Sequence, residues 1–334
     1  MGIASYIKEI GRGREGARAL TREQATDLFG QVLDGAVTQL EIGAFCLAMR
    51  IKGETPQEMA GFLDATHARL QRIPATASPT ASSPFAGSDT SAVSADATAE
   101  NARSAPSRPT IVIPSYNGAR KLPALTPLLA LLLAREGLPV LIHGTATESS
   151  RVYTSSVLAA LGVPAQSAIE SVTDGTVQFV PTELLCPGLQ RLLEVRRVVG
   201  LRNSAHSVVK LMNPIDQGRG KSLLVSSYTH PEYATSMAAT FTLMQSNAML
   251  LRGTEGESVA DARRLPQMEG FIGGQPRLLQ EAQSGTLDKL PDLPKTTDAQ
   301  ATADYIRSVV DGTKTVPESI AKQVEHILRL VQEL

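Results

Sequence analysis

Hydrophobic and polar positions along residues 110–145 form a pattern that predicts a βαβ unit. A β-branched apolar run at 110–113 is followed by a turn-rich loop at 114–121, an apolar stretch at 125–135 and a second apolar run at 139–144. Short apolar runs bounded by turn residues are typical of buried strands, and the longer stretch between them is typical of a helix. Open α/β sheets bind ligands where such a first strand passes into its helix.

Strands and helices continue to alternate towards the C-terminus. The pattern predicts further helices and strands, with helices at 150–161, 188–199, 231–245, 299–311 and 317–334, and strands at 176–180, 223–228 and 248–253. This alternation predicts the α/β class, with a central sheet that is covered by helices. The α/β domain is expected to span residues 110–334.

The first 72 residues show helical spacing only. Thr21 followed by Gln24 is a capping-box pattern that predicts a helix start, and Pro56 suits the first position of a later helix. Between them, residues 38–50 are apolar on nearly all sides, so this helix should be buried or should pack against another subunit. We therefore expect residues 1–72 to form a small helical domain that supports a homodimer.

Residues 73–109 differ sharply from both neighbours. Pro, Ala, Ser and Thr dominate this segment, and Phe85 is its only aromatic residue. Such a composition cannot bury enough apolar surface to offset the entropy of ordering. The segment is predicted to be a flexible linker between the two domains.

Overall composition narrows the possible classes of function. The 334 residues carry a formal charge of −1, so any basic surface must be local. The longest apolar run, at 125–134, contains Pro127 and is too short to span a bilayer, and residues 1–24 lack a signal pattern. Cys46 and Cys186 lie in apolar surroundings and are expected to be reduced and buried. These features predict a cytoplasmic protein that does not bind membranes.

The loop after the first strand occupies the position of a phosphate site but lacks the usual residues. A phosphate loop needs glycines, so that backbone N–H groups can approach the anion. This loop has one glycine, Gly118, together with Pro114, which has no N–H, and the bulky Tyr116.

Two segments carry a family resemblance. Residues 42–55 resemble the second-helix signature of anthranilate phosphoribosyltransferases and class III nucleoside phosphorylases, and residues 196–214 resemble their RRxLGxRTxFNxLGPLxNP stretch. The resemblance implies a small helical domain, a hinge, a large α/β domain and dimerisation through the helical domain. We also expect the helix at 188–199 to pack with the helical domain.

Three catalytic motifs of that family are not preserved. Its GTGGDG diphosphate loop falls on 113–118, its KHGN on 142–145 and its acidic metal pair on 258–259, where the chain has Ser and Val. Phosphoribosyl diphosphate with Mg²⁺ needs N–H donors, a cation and metal carboxylates together. We therefore predict no catalytic residues, no metal site and no cofactor; Mg²⁺ would be needed only if the chain were a transferase.

The resemblance is closer to a divergent branch, the YbiB proteins. Residues 8–18, 202–210 and 252–264 carry it. It implies a dimer that binds DNA, with RNA as a further partner, through phosphate contacts and with little sequence preference. The basic residues predicted to make these contacts are Lys8, Arg12, Arg14, Arg18, Arg202, Lys210, Arg263 and Arg264.

Structural roles are an alternative for each basic cluster. The N-terminal cluster could be a solvated helix face offset by Glu9 and Glu15, and the cluster at 191–221 could form ion pairs where the domains meet. Arg263 and Arg264 have polar neighbours and could simply be solvated.

The resemblance also predicts a degenerate ligand cleft. Its residues would be Tyr116, Asn117, Gly118, His143, Gly144 and His206. The alternative for His143 and His206 is a structural role, because a lone histidine is more often a hydrogen-bonded structural residue than a base. No group of His, Cys, Asp and Glu has metal-ligand spacing. With 4% aromatic residues and no Trp, base stacking on a single-strand platform is a weak expectation.

The sequence thus predicts non-catalytic, largely sequence-independent DNA binding on a degenerate phosphoribosyltransferase fold. The alternative is a glycosyltransferase of the phosphoribosyltransferase type with an altered substrate. A third possibility is a sensor that binds a small metabolite in the cleft.

Overall fold

The structure is a computed structural model that describes residues 2–74, 108–216, 221–286 and 291–334. The linker predicted at 73–109 therefore lies almost entirely outside the described residues. Within the described ranges no helix combines the length and the apolar character needed to cross a membrane.

The N-terminal region is helical. Its helices are α1 (Ala4–Ile10), α2 (Gly13–Gly16), α3 (Arg22–Asp34), α4 (Gln39–Lys52) and α5 (Pro56–His67). The three longest begin with capping boxes at Thr21, Thr38 and Thr55. In each box the threonine side chain accepts the backbone N–H of the residue three positions later, and the side chain of that residue accepts the backbone N–H of the threonine. The predicted helix start at Thr21 and the predicted role of Pro56 are confirmed.

Three phenylalanine rings, one from each long helix, form the centre of this region. Phe29 stacks on Phe62 with ring centroids 4.6 Å apart, and Phe45 meets both rings edge-on at 6.2 Å and 6.0 Å. All three side chains are fully buried. Offset and edge-on ring pairs of this kind stabilise a core beyond the area they bury.

A later part of the chain joins the helical region. It contributes α8 (Thr182–Leu185), α9 (Pro187–Val199) and α10 (Ala205–Leu211). Gly188 packs so tightly on α3 that a Cβ there would lie 2.2 Å from the Leu33 carbonyl oxygen. The guanidinium of Arg191 donates to the same carbonyl at 2.8 Å. The helical region is therefore built from two separate parts of the sequence that share one core.

A seven-stranded sheet forms the centre of the other described part of the protein. Its strands are β1 (Thr110–Ser115), β2 (Val140–Gly144), β3 (Val177–Pro181), β4 (Ser222–Tyr228), β5 (Ala248–Arg252), β6 (Met268–Ile272) and β7 (Gln275–Gln280). The strand order is β3-β2-β1-β4-β5-β6-β7. The first five strands are parallel, and β6 and β7 are antiparallel to their neighbours. All five predicted strands are present, whereas β6 and β7 were not predicted from the sequence.

The remaining helices cover the sheet. They are α6 (Thr126–Arg135), α7 (Thr154–Ala160), α11 (Pro231–Leu243), α12 (Ala299–Val310) and α13 (Glu318–Gln332). The helix predicted to begin at residue 150 begins four residues later, because the preceding segment folds into a loop. In this loop the Tyr153 hydroxyl accepts the backbone N–H groups of Thr147 and Glu148 at 2.9 and 2.7 Å.

Helix α4 has one buried and one exposed apolar face. Phe45 and Met49 are buried, whereas Leu40, Leu47 and Ile51 are 83%, 44% and 61% exposed. Helical spacing places these three on one side, because they lie seven and four residues apart. The helix was predicted to be buried or to pack against another subunit, and the described part of this chain buries only one of its two apolar faces.

Candidate functional site

The loop after β1 lies at the sheet edge where such folds place their ligand. Strand β1 has β2 on one side and β4 on the other, so the strand order reverses at β1. Successive connections leave this point in opposite directions and open a crevice at the carboxyl ends of the strands. The loop of residues 116–125 leads from this edge into α6.

A carboxylate of the protein itself occupies the start of this loop. Glu257 Oε1 accepts the backbone N–H groups of Asn117 and Gly118 at 2.6 and 2.8 Å. Its Oε2 accepts the hydroxyl of Ser115, which also bonds Thr154. Glu257 is only 3% exposed. These backbone donors are therefore already satisfied by a buried anion.

A second carboxylate occupies the next part of the loop. Glu255 accepts the backbone N–H groups of Arg120, Lys121 and Leu122 at 2.7, 3.1 and 3.3 Å. In total, five N–H donors of the loop are bonded to two glutamates from one tight turn. We call the last three the outer donors.

Gly256 allows the turn between the two glutamates to approach the loop. It has φ of +90°, and a Cβ at this position would lie 1.6 Å from the side-chain nitrogen of Asn117. Only glycine meets both conditions. The same Asn117 nitrogen donates to the Glu255 carbonyl oxygen at 3.2 Å, which holds turn and loop together.

Lys210 neutralises part of this negative charge from the inside. Its Nζ donates to the carbonyl oxygens of Gly256 and Ser227 at 3.0 and 3.2 Å. Burial lowers the Lys210 pKa to about 8, although the charge of Glu257 acts in the opposite direction. The structure thus places Lys210 against the sheet edge, where its ammonium is held by internal carbonyl groups.

Tyr116 and His143 form a buried structural pair. The Tyr116 hydroxyl lies 2.8 Å from both His143 Nδ1 and Thr182 Oγ1. Burial lowers the His143 pKa to about 3 and raises the Tyr116 pKa, so both side chains are neutral at physiological pH. Gly144 lets β2 lie against β1, since a Cβ there would come within 1.9 Å of the Ser115 carbonyl oxygen.

An open cleft of about 440 Å³ lies beside this region, between α5, α10, β4 and the start of α11. Its polar and aromatic lining includes Arg50, Glu54, Arg202, His206, Lys210, Tyr228, His230 and Tyr233. Of the six residues predicted to line a cleft, only His206 does so. The other five, Tyr116, Asn117, Gly118, His143 and Gly144, are buried where the loop and strands pack.

Three arginines converge on one carboxylate near the mouth of this cleft. Glu148 forms ion pairs with Arg151 at 3.1 Å, with Arg202 at 3.8 Å and with Arg196. Partial burial would raise the Glu148 pKa, but the hydrogen bonds from Arg196 and Arg151 prevail and lower it. Three cations facing one anion leave an excess of positive charge. Burial and the charges of Arg202 and Arg196 lower the pKa of neighbouring His206 to about 3, so it is neutral.

Three of the predicted N-terminal basic residues, Lys8, Arg12 and Arg18, lie on the surface in and around α1 and α2. Lys8 is exposed, Arg12 pairs with Glu9 at 2.7 Å, and Arg18 lies 3.9 Å from Glu9 and is 71% exposed. The side chain of Arg14 lies outside the described part of the structure. Glu9 therefore offsets part of the positive charge of this cluster, as the structural alternative predicted. The side chains of Lys8 and Arg18 are nevertheless exposed to solvent.

Arg263 and Arg264 are held by neighbouring groups. Arg263 forms a two-pronged interaction with Asp261, with Nε and Nη2 at 2.9 and 2.7 Å from its carboxylate oxygens. Arg264 donates to the carbonyl oxygens of Gln283 and Gly285 at 3.2 and 2.9 Å. The predicted binding residues thus do not gather in one place, because they lie in the first 18 residues, in and just before α10, and in the segment before β6.

The described residues contain no group of three or more His, Cys, Asp or Glu side chains that could hold a metal ion. Cys46 and Cys186 are buried and unpaired, as predicted.

Four features of the site were not predicted from the sequence: Glu148, Arg151, Arg50 and the role of the two glutamates. The Glu-Gly-Glu triplet at 255–257 was the available signal, because a glycine between two acids can form a tight anionic turn.

Comparison with known proteins agrees with this architecture. Residues 4–69 match the family model "Glycosyl transferase family, helical bundle domain". The uncharacterized protein YbiB of Escherichia coli (strain K12) is 36% identical over 328 residues, which cover 97% of this chain and 92% of that protein. The chain belongs to the YbiB family. Its fold is that of the anthranilate phosphoribosyltransferases.

Transferases are more distant relatives of this YbiB-family chain. The anthranilate phosphoribosyltransferase of Methylobacterium nodulans is 25% identical over 95% of this chain and 85% of its own length. The crystal structure of the Thermus thermophilus enzyme superimposes with a TM-score of 0.67 at 20% identity, covering 95% of this chain and 85% of that one. The Saccharomyces cerevisiae enzyme in complex with PRPP and Mg gives a TM-score of 0.57 at 14% identity, covering 99% and 98%.

Proposed function

We propose that this protein binds the phosphate backbone of nucleic acids, DNA and RNA, without strong sequence choice, and that it does not transfer a phosphoribosyl group. The observation that carries the proposal is the occupation of five N–H donors in the β1–α6 loop by Glu255 and Glu257. A diphosphate could reach all of these donors only by displacing both carboxylates, and displacement of the buried Glu257 would open the core.

Other replacements at this edge support the absence of transferase chemistry. Where the family resemblance expects a cationic lysine the chain has Ile142, which is buried in β2. Glu257 is bonded to Asn117, Gly118 and Ser115, so its oxygens are not free to ligate Mg²⁺. The donor set therefore does not fit a divalent cation, which needs several available carboxylate or carbonyl oxygens.

Basic side chains at the cleft support the choice of a polyanionic partner. Arg50 and Arg202 line the cleft, and Arg202 shares Glu148 with two further arginines. Helices α1 and α2 pack on α4, the helix that ends near Arg50. A path of positive charge from α1–α2 to the cleft would suit a phosphate backbone, since guanidinium groups match phosphate oxygens.

A homodimer through the helical region is part of the proposal. Leu40, Leu47 and Ile51 form an apolar strip along α4 that the described residues of this chain leave exposed. A two-fold axis at this strip would bury it and place two basic surfaces on one particle.

Fluorescence anisotropy with mixed-sequence DNA and RNA oligonucleotides tests the proposal. We expect submicromolar binding at 50 mM salt that weakens steeply by 200 mM, because each phosphate contact adds about 0.9 to the salt slope. Equal affinities for unrelated sequences would support backbone recognition. No binding at the lower salt concentration would overturn the proposal.

A second candidate is a transferase with an altered substrate. It is supported by the open cleft of about 440 Å³ and by the relationship to anthranilate phosphoribosyltransferases over most of the chain. It requires Glu255 and Glu257 to leave the loop. Calorimetric titration with phosphoribosyl diphosphate and Mg²⁺ distinguishes the two functions, since micromolar affinity would favour the transferase.

A further inference from the structure

The two glutamates of the turn differ in how firmly they are placed. Glu257 is buried and bonds two backbone N–H groups and a hydroxyl. Glu255 is partly exposed and bonds the outer donors, the N–H groups of residues 120–122, at the surface of the protein. Of the two, only the outer carboxylate can therefore be exchanged for a group from solution without opening the core.

The backbone of Glu255 is held in an unfavourable conformation. Its φ is +52°, in the left-handed region that residues with a Cβ seldom adopt. Its carboxylate bonds to the outer donors help to hold this conformation, together with the Asn117 contact to its carbonyl oxygen. Removal of the carboxylate from these donors would allow part of this strain to relax, which favours exchange.

The charges around Glu255 favour an anion that is larger and more strongly charged than a carboxylate. Arg120 and Lys121 are exposed beside the donors that their own backbones supply. Arg263 lies close enough to interact electrostatically with Glu255. Arg151 approaches the same loop from the other side, with Nη1 3.4 Å from the Gly118 carbonyl oxygen. Two of the three outer donors thus belong to residues with exposed basic side chains, and Arg263 adds a further positive charge within electrostatic range of Glu255.

We propose that Glu255 is a displaceable internal ligand of a phosphate subsite. A phosphate group of the bound nucleic acid replaces the Glu255 carboxylate on the outer donors, while Arg120, Lys121 and Arg263 contact its remaining oxygens. Glu257 stays in place and keeps the inner part of the loop closed. The source of the phosphate rests on the proposed function; the exchange itself does not.

Charge-matched variants test the exchange. Glu255→Gln and Glu333→Gln change the net charge equally, but residue 333 lies at the end of α13 and pairs with Arg277. We expect E255Q to bind a mixed-sequence oligonucleotide at least threefold more tightly than E333Q at 100 mM salt. Glu255→Gly removes the competing carboxylate and also suits the positive φ, so it should bind the same oligonucleotide at least as tightly as E255Q.

A titration with pyrophosphate separates this proposal from the proposed function. We expect E255G to bind pyrophosphate measurably by calorimetry and the wild type to bind it at least tenfold more weakly. Arg120→Gln combined with Lys121→Gln in the E255G background should abolish that gain. If the wild type bound no nucleic acid while E255G bound pyrophosphate, the subsite would stand and the nucleic-acid function would fail.

Equal pyrophosphate affinities for the wild type and E255G would overturn the subsite, provided that both proteins melt at the same temperature. If E255G did not fold, the comparison of E255Q with E333Q would decide, because an isosteric amide retains an acceptor for the loop. Equal oligonucleotide affinities of those two variants would then overturn it.

Discussion

The Glu257 Oε1 atom lies 2.8 Å from the backbone nitrogen of Gly118, a residue 139 positions earlier in the chain. This bond joins the segment after β5 to the loop after β1 and puts a negative charge where a fold of this type would receive the charge of a ligand. The protein thereby supplies its own anion and closes the loop upon itself.

Removal of the Glu257 side chain should destabilise the protein. Glu257→Ala would leave the backbone N–H groups of Asn117 and Gly118 without their partner in a buried site, whereas the Ser115 hydroxyl would keep its bond to Thr154. We expect the free energy of unfolding to fall by about 3 kcal/mol, since unsatisfied buried donors each cost about 1–3 kcal/mol. Urea denaturation measures this loss. Glu281→Ala, at an exposed position, is the control and should change stability by less than about 0.5 kcal/mol.

Lys210 should make stability increase with pH above neutrality. Its pKa is lowered to about 8 in the folded protein, from an ordinary value near 10.5. Between these values the unfolded chain binds more protons than the folded one, so raising the pH favours folding. We expect Lys210 to contribute a gain of about 2 kcal/mol between about pH 7.5 and about pH 10.

Denaturant titrations of the wild type and Lys210→Met at both pH values check this prediction. The methionine variant retains most of the side-chain volume but cannot titrate, so its stability should lack this part of the increase. Parallel pH dependences of the two proteins would show that Lys210 keeps an ordinary pKa.

The N-terminal basic cluster should contribute to nucleic-acid affinity. Replacement of Arg12, Arg14 and Arg18 together with Ala should weaken binding to all sequences alike and lower the salt slope by about 0.9 for each phosphate interaction that is removed. Anisotropy at several salt concentrations measures both effects.

A control variant separates a local effect of this cluster from an effect of net charge. Triple replacement of Arg277, Arg307 and Arg329, which lie on β7, α12 and α13, removes the same charge elsewhere. We expect this control to bind oligonucleotides more tightly than the N-terminal triple variant. Equal losses of affinity in the two variants would assign the effect to net charge alone.

We expect the proposed homodimer to form through the exposed strip on α4. Leu47→Glu would place a charge at a buried interface and should convert the dimer to a monomer in sedimentation velocity, with unchanged helical circular dichroism. Leu278→Glu, on the equally accessible β7, should leave the dimer intact. A wild-type protein that sediments as a monomer at all concentrations would contradict the prediction.

Much of the fold could be predicted because its signals are local. The capping pattern of Thr21 and Gln24, the proline at position 56 and the continuous apolar runs of β1 and β2 each depend on neighbouring residues only. Strands β6 and β7 carry no such signal. Gly270, Gly273 and Gly274 interrupt their pattern, and Pro276 with Arg277 makes the edge strand look like a loop.

The candidate site was predicted less well, because its contacts are distant in sequence. Tyr116 and His143 were predicted to belong to a ligand cleft, but packing buries both side chains and lets them bond each other in the core. Lys210 was predicted to contact nucleic acid. In the structure α10 packs against β4 and the Gly256 turn, and the Lys210 ammonium donates to carbonyl oxygens there. Burial, not residue type, decided the role of all three side chains.

Adjacent residues were sufficient to establish the class of fold, the helix starts and the loss of the usual phosphate-loop glycines. The two glutamates that now occupy the loop could be identified only from the folded structure, because distant segments of the chain bring them to it. The N–H donors of residues 117–122 come from one end of the large domain's sequence and the carboxylates of Glu255 and Glu257 from its middle. No spacing rule connects them, because their meeting depends on the parallel alignment of β1, β4 and β5 in the sheet.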